Sequence, residues 1–176
     1  MRYYLLLLFT FFSCLVTAQQ TDVVDFKRIN ANIMHRGYEN VVTGRIFIDF
    51  QIKKKTDTIF LDAINTRVRD WHLYSEESKE PDYRAKIFNS DNKIFIIHNF
   101  KKNKKYKLHL DYGMTSKKAM YFVEKEEYTQ VWTQGQGKYT SNWLPSIDDM
   151  NDKIEFDLSI IADEDYYVIS NGKLLN

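Results

Sequence analysis

Apolar and polar residues alternate along most of this chain. Across residues 43–53, apolar side chains stand at every second position, namely Ile46, Ile48, Phe50 and Ile52. The same period of two recurs across residues 105–112 and 153–161. This is the period of a β-strand with one buried face and one solvated face. The three segments are therefore predicted to be long strands.

Shorter strand-like segments lie between them. They are residues 26–34, 58–61, 67–73, 83–88, 93–98, 119–123 and 166–169. No window of helical length carries an apolar stripe with a period of 3.6 residues. About ten closely spaced strands predict an all-β fold, either a two-sheet β-sandwich or an open, saddle-like pair of sheets.

Turn-forming residues mark the connections between these strands. They lie at Arg36-Gly37, Lys55-Thr56-Asp57, Asn89-Ser90-Asp91-Asn92 and Ser170-Asn171-Gly172. Asn171-Gly172 suits a two-residue hairpin turn, because both residues tolerate a positive φ. Four residues follow that turn, and an open strand edge is usually paired by further chain. We therefore expect one β-domain, residues 19–176, that is incomplete at its C-terminal end.

Composition supports this fold class and narrows the partners. The 176 residues are 44% hydrophobic and 28% charged, the range of a soluble globular domain. Aromatic residues make up 15% and favour strands. A net charge of +1 predicts no nucleic-acid partner, which would require a basic excess on one face. The lysine run between Lys101 and Lys107 is interpreted as a solvated turn.

Residues 1–18 are predicted to be a secretory signal peptide. Arg2 precedes a nearly unbroken apolar run from Tyr4 to Val16, and a cleavage pattern ends at Ala18. The run is shorter than the roughly 20 residues that span a bilayer, and an uncleaved anchor is the alternative. We expect an exported protein, periplasmic, secreted or associated with the cell envelope, with no transmembrane segment after cleavage.

The single cysteine, Cys14, lies inside this signal. Cleavage after Ala18 leaves no cysteine to form a disulfide, so the fold must depend on its hydrophobic core. The alternative is lipidation of Cys14, as in bacterial lipoproteins. The bulky Phe12 fits that motif poorly.

Residues 128–174 carry an ordered set of short motifs. They are Thr133-Gln134, Trp143-Leu144-Pro145, Asp148-Asp149, Lys153 and Ser170-Asn171-Gly172. In this order and spacing they resemble the end of the N-terminal domain of aminopeptidase N-like zinc metallopeptidases, the gluzincin aminopeptidases that include leukotriene hydrolase-like members. Residues 25–34, 44–50 and 117–123 resemble earlier strands of that domain. Asp149 and Met150 stand where the family usually has Glu-Pro.

The resemblance implies that Gln134 and Gln136 bind substrate. In the family, the first of these positions lines the pocket for the first substrate side chain, and the second helps to hold the free α-amino group. An amine with three N–H donors needs converging acceptors, and residues two apart on a strand share a face. Gly135 and Gly137 would let substrate approach the backbone. The alternative is a polar loop at a sheet edge.

The neighbouring acidic and aromatic residues are interpreted as structural. Asp148 and Asp149 resemble catalytic carboxylates, but carboxylates beside a turn typically cap backbone N–H groups, and Lys153 is close enough in sequence to pair with them. Trp132 and Trp143 suit stacking on a sugar ring, but their alternating context favours the core.

The family's chemistry requires Zn²⁺ held by a helical His-Glu-x-x-His pair and a later Glu. None of the four histidines shows this spacing, and all are interpreted as surface or edge residues: His35, His72, His98 and His109. We therefore expect no catalytic residue and no metal ligand in this chain. The zinc of the parent enzyme would be bound by a domain not present here.

The sequence thus predicts the N-terminal substrate-gating domain of an exported zinc-dependent aminopeptidase that removes N-terminal residues from peptides. Its partners would be peptide N-termini and the catalytic domain of the same polypeptide, and this chain alone would not be catalytic. One alternative is a non-catalytic exported β-sandwich that binds peptide or glycan. Another is a degenerate paralogue without a functional metal centre.

Overall fold

The computed structural model describes residues 19–35, 40–126 and 128–175, which form ten β-strands and two short 3₁₀ turns. The strands are β1 (Val24–His35), β2 (Val41–Ile52), β3 (Thr56–Asp62), β4 (Thr66–Ser75), β5 (Lys86–Ser90), β6 (Lys93–Phe100), β7 (Lys105–Thr115), β8 (Met120–Glu124), β9 (Thr129–Thr133) and β10 (Glu155–Ile161). The predicted all-β class is confirmed. Within these ranges, no helix has the length and apolar character needed to cross a membrane.

The strands form three sheets. Five strands lie in the order β10-β1-β2-β7-β4, three in the order β3-β6-β5, and β8 pairs with β9. All pairings are antiparallel except that of β1 with β10. The larger two sheets contribute to one continuous hydrophobic core, as expected for a β-sandwich.

The alternation of apolar and polar residues along the strands supplies the side chains of this core. In β2 and β7 every second residue is buried, including Ile46, Ile48, Leu108 and Leu110. In β1 the buried positions change from even to odd numbers after an irregularity between Phe26 and Arg28. A β-bulge adds one residue to a strand, so the side chains beyond it exchange faces.

Four aromatic rings form the centre of the core. Phe50 lies 5.7 Å from Phe26, 5.6 Å from Tyr106 and 5.9 Å from Phe100, measured between ring centroids. Phe100 in turn meets Tyr106 edge-on at 5.1 Å. These separations lie within the range preferred by aromatic pairs. The cluster joins the two larger sheets, since Phe100 belongs to β6 and the other three to β1, β2 and β7.

Two sequence predictions about strands are corrected. Strand β5 begins at Lys86, and not at residue 83, because the Asp82 carboxylate accepts hydrogen bonds from the backbone and guanidinium of Arg84 and holds a turn there. Residues 166–169 are not a strand, since no described strand lies beside them to complete a ladder.

The turn predictions have mixed outcomes. Asn171-Gly172 does not form a hairpin turn; Gly172 has φ +101°, but no strand flanks it within residues 162–175. The two-residue hairpin turn is instead Asp91-Asn92, between β5 and β6, where φ is +51° and +60°. Residues 101–104 form an exposed turn between β6 and β7, as predicted for the lysine run, whereas Lys105 and Lys107 lie on β7. The predicted signal peptide and Arg36-Gly37 lie outside the described residues.

Acid should destabilise the loop that carries Asp82. The hydrogen bond from Arg84 is the main reason that the pKa of Asp82 falls from its ordinary 3.8 to about 2. A carboxylate whose pKa is lower in the folded state stabilises the fold fully at pH values above its pKa in the unfolded chain. This stabilisation is lost as the pH falls towards 2. Burial also lowers the pKa of nearby His98, so its protonation below about pH 6.5 opposes folding as well.

We therefore expect the free energy of unfolding to decrease as the pH is lowered from 7, most steeply between pH 4 and 2. Asp82→Asn should weaken the pH dependence of the free energy of unfolding below pH 4, as measured by denaturant titration at several pH values. Asp163→Asn, which removes an exposed carboxylate that has no side-chain partner among the described residues, is the control. Identical acid profiles for Asp82→Asn and the wild type would contradict this assignment.

Candidate functional site

The loop at residues 134–152 follows β9 and carries most of the motifs noted above. Its first residue, Gln134, donates its backbone N–H to the carbonyl of Ala119 at 2.7 Å. Further along, Lys118 donates its ammonium to the hydroxyl of Tyr139 at 2.8 Å. The loop therefore starts against the connection between β7 and β8.

Gln134 and Gln136 occupy different local structures. Strand β9 ends at Thr133, so Gln134 directly follows the strand and is half-buried, whereas Gln136 is exposed in a turn. The turn contains positive φ values at Gly137 (+75°) and Lys138 (+69°). The expectation that strand alternation places both amides on one face does not hold here. Neither side chain forms a hydrogen bond within the described part of the chain.

Gly135 lies in close contact with Thr140 inside the loop. A Cβ at this position would lie 2.9 Å from Thr140 Oγ1, closer than real Cβ contacts. The carbonyl of Gly135 also accepts the N–H of Tyr139 at 3.4 Å. The missing side chain thus lets the loop close on Thr140, in addition to any room that it leaves for a ligand.

Asp148 and Asp149 have structural roles, as the sequence indicated. The Asp148 carboxylate accepts hydrogen bonds from the Ser141 N–H at 3.3 Å and the Ser146 hydroxyl at 3.2 Å. Asp149 accepts the N–H of Asn151 at 2.9 Å, the geometry of an Asx turn. Lys153 is exposed and forms no ion pair with a described residue, so the expected pairing is absent.

The middle of the loop is anchored in the core. The Tyr112 hydroxyl donates to the carbonyl of Trp143 at 3.3 Å, and Leu144 is fully buried. Ser146 and Asp62 exchange two backbone hydrogen bonds of 2.8 and 3.0 Å. These contacts fix the loop against the edge of β3.

The two tryptophans have different environments. Trp143 is half-buried against the core, in agreement with the sequence interpretation. Trp132 is 44% exposed and stacks on Tyr121 at 4.2 Å, so its assignment to the core is wrong. The reason is that β8 and β9 form a separate two-stranded sheet, and Trp132 and Tyr121 lie on its uncovered face.

A cavity of about 400 Å³ lies beside the loop but does not include the two glutamines. Its charged lining consists of Asp62, Asp91, Asp148, Asp149, Lys93 and Lys138. Asp62 is already engaged, because its carboxylate accepts the N–H of Asp148 at 3.1 Å. The cavity and the exposed turn that contains Gln136 are thus neighbouring but separate features.

The structure also assembles a histidine cluster that sequence spacing did not reveal. His72 and His109 are cross-strand partners on β4 and β7, with 3.4 Å between their Nδ1 atoms. Asp70 lies beside them, and the donor atoms of all three residues fall within 4.8 Å of one another. The two histidines are 37 residues apart in sequence, so only the strand register shows the pairing. His98 lies on β6, near Asp82.

Solved structures share this architecture. The M1 zinc metallopeptidase from Deinococcus radiodurans aligns with a TM-score of 0.63 at 14% identity, over 81% of this chain and 35% of that one. A mutant of the Deinococcus radiodurans enzyme bound to a Tyr-Ser-Ala substrate aligns with a TM-score of 0.65 at 14% identity, over the same shares. A two-domain M1 zinc metallopeptidase mutant bound to L-tryptophan aligns with a TM-score of 0.65 at 13% identity, over 81% and 36%. The fold is therefore one found within zinc metallopeptidases.

The sequence profile of the Peptidase M1 N-terminal domain matches residues 24–176. The chain belongs to this family, which confirms the resemblance to aminopeptidase N-like peptidases. No curated protein sequence matches it. The chain spans about 35% of the length of the solved peptidases to which it is similar.

The residues present do not form the zinc site of such enzymes. The family is zinc-dependent, but this sequence has no His-Glu-x-x-His. The histidine side chains that the structure describes lie on β4, β6 and β7, and the two that meet do so across strands instead of one turn apart on a helix. No catalytic step is assigned to this chain.

Proposed function

We propose that this chain is the N-terminal, substrate-gating domain of an exported zinc-dependent aminopeptidase that removes N-terminal residues from peptides. Membership of the Peptidase M1 N-terminal domain family across residues 24–176 carries this proposal. The zinc and the hydrolytic residues would come from a catalytic domain of the same polypeptide. Export rests on the signal-like pattern of residues 1–18.

In this proposal the segment that carries Gln134 and Gln136 forms part of the wall of the substrate-binding site. Gln134, half-buried at the end of β9, would contact the first side chain of the peptide. Gln136, exposed in the turn, would accept a hydrogen bond from the free α-amino group through its side-chain oxygen. Because an amide is neutral, it attracts the ammonium less than a carboxylate does. The remaining attraction would have to come from acidic groups of the catalytic domain.

The full-length polypeptide provides the test. Gln136→Ala should lower kcat/KM for an aminoacyl anilide by about tenfold, the effect of losing one hydrogen bond to a charged group. Gln134→Ala should instead change the ranking of substrates that differ in their first side chain. Gln130→Ala, an exposed glutamine on β9, is the matched control and should retain wild-type kinetics. Unchanged kinetics in both site variants would refute the proposed wall.

A second candidate is a non-catalytic module that binds peptide or glycan. The exposed stack of Trp132 on Tyr121 favours it, since such faces bind planar or ring-shaped ligands. The reading frame beyond codon 176 separates the two candidates. The enzyme proposal expects Gly-x-Met-Glu-Asn and His-Glu-x-x-His motifs downstream, and a stop codon within a few tens of codons would leave the binding module.

A further inference from the structure

The outer face of the five-stranded sheet holds three electron-pair donors that lie within 4.8 Å of one another. A β-bulge between Val68 and Asp70 sets the register of β4 so that Asp70 faces Asp111 and His72 faces His109. The Nδ1 atom of His72 lies 3.4 Å from Nδ1 of His109 and 3.6 Å from Oδ2 of Asp70. The first separation is that of a long hydrogen bond between the imidazoles, and the second lies beyond hydrogen-bond range.

The second imidazole is held in a defined state. Nε2 of His109 lies 3.0 Å from Oδ1 of Asp111, and that carboxylate also receives two hydrogen bonds from Arg45, at 2.7 and 2.9 Å. In the neutral imidazole, donation of the Nε2–H to this carboxylate places the lone pair on Nδ1, the atom that faces His72. The Phe47 ring stacks on the opposite side of His109 at 4.9 Å and restrains its orientation.

We propose that Asp70, His72 and His109 form a binding site for a borderline divalent cation such as Zn²⁺. Zinc bonds of about 2.0–2.1 Å in tetrahedral geometry separate neighbouring ligand atoms by about 3.4 Å. The separations of 3.4 and 3.6 Å match that value, and the third pair of ligand atoms, from Asp70 and His109, lies within 4.8 Å. Asp111 supplies the carboxylate–histidine contact that commonly supports a metal-bound imidazole.

The charges and exposure of the cluster fit this ligand. Arg45 is engaged by Asp111, which leaves the Asp70 carboxylate to balance the cation. The side chains of His72 and Asp70 are 34% and 56% exposed, so a cation can enter from solvent and keep a water as its fourth ligand. Two imidazoles and one carboxylate favour Zn²⁺ or Cu²⁺ over Mg²⁺ or Ca²⁺, which prefer oxygen ligands.

A cation bound at this site would link the edge strand β4 to its neighbour β7. Among the described strands, β4 pairs only with β7, and the ligands come from both strands. A cation bound to the folded state stabilises it by mass action. The chain would therefore resist unfolding more strongly in the presence of Zn²⁺.

The test is a titration of ZnCl₂ into the 176-residue chain, followed by calorimetry and by ¹⁵N NMR of the histidine rings. We expect one saturable site and a large shift of Nδ1 in His72 and His109, with His98 unchanged. This readout uses the wild-type protein and is independent of any peptidase activity. Histidine shifts confined to Nε2, or spread equally over His98, would overturn the proposal, as would equal binding of MgCl₂.

Single substitutions distinguish the proposed metal ligands from the residues that lie near them. His72→Gln should abolish saturable binding, and Asp70→Asn should weaken it at least tenfold. Asp111→Asn should weaken it by about 10–100-fold, the usual effect of removing a carboxylate that supports a ligand histidine. Asp49→Asn removes an exposed carboxylate from the neighbouring strand β2 and should bind Zn²⁺ like the wild type. Equal losses in Asp49→Asn and Asp70→Asn would indicate a general charge effect and contradict the site.

Discussion

Replacing Phe50 by alanine should lower the free energy of unfolding by about 3–5 kcal/mol, the usual cost of removing a buried phenylalanine ring. Phe50 is 1% exposed and contacts Phe26, Phe100 and Tyr106, which belong to three other strands. Its loss would leave a cavity between the two larger sheets that neither sheet can close alone. Equilibrium denaturant unfolding, with the midpoint and slope compared to the wild type, measures the effect.

Phe88→Ala is the control for this variant. Phe88 is 46% exposed on β5 and stacks on Phe95 at 5.0 Å. Loss of one such exposed pair should cost about 1 kcal/mol. If both variants lose the same stability, the aromatic cluster is not the centre of the core.

Adding one methyl group at Gly44 should also destabilise the fold, by about 1–3 kcal/mol. Gly44 is the cross-strand partner of Tyr112, and a Cβ at Gly44 would lie 2.6–2.8 Å from the Tyr112 ring and hydroxyl. Tyr112 is 1% exposed, and burial raises the pKa of its hydroxyl, which therefore stays protonated and donates to Trp143. Gly44→Ala would displace the Tyr112 ring and so break its hydrogen bond to the carbonyl of Trp143 in the loop. Denaturant unfolding again provides the measurement.

Gly113→Ala is a matched control on the neighbouring strand. A Cβ there would meet the guanidinium of Arg69 at 2.8 Å, but this is the end of a flexible side chain that can move away. We expect a smaller loss than for Gly44→Ala, because only a flexible side chain has to move. In a double-mutant cycle, Tyr112→Leu should remove most of the additional cost of Gly44→Ala. Strict additivity would show that the ring contact is not the cause.

Local sequence signals predicted most of the strands because strand formation here follows the period of two. The segments that became β2, β7 and β10 alternate clearly, and Asp91-Asn92 lies within a predicted turn. The failures have non-local causes. Residues 166–169 have strand-forming side chains but no described neighbour to pair with, and the change of face inside β1 depends on a bulge that composition does not reveal.

The candidate sites were less accessible to sequence reasoning. Motif order located Gln134 and Gln136, but their environments depend on where β9 ends and on a turn with two positive φ values. The anchoring of the loop depends on Ser146 meeting Asp62 across a distant part of the chain. The pairing of His72 with His109 required the register of β4, which a one-residue bulge had shifted. Such contacts are set by tertiary structure and leave no spacing pattern.

The parallel pairing of β1 with β10 has a consequence for the order of assembly. Arg28 and Asp157 are joined by a hydrogen bond across 129 positions of the chain. A ribosome or an export channel that delivers the polypeptide from its N-terminus releases β1 before every other strand, and β10 after the other nine. One edge of β1 therefore stays without its native partner until synthesis has passed residue 161. During that interval the second hydrogen-bonding edge of the first strand is open to water, to chaperones or to another nascent chain.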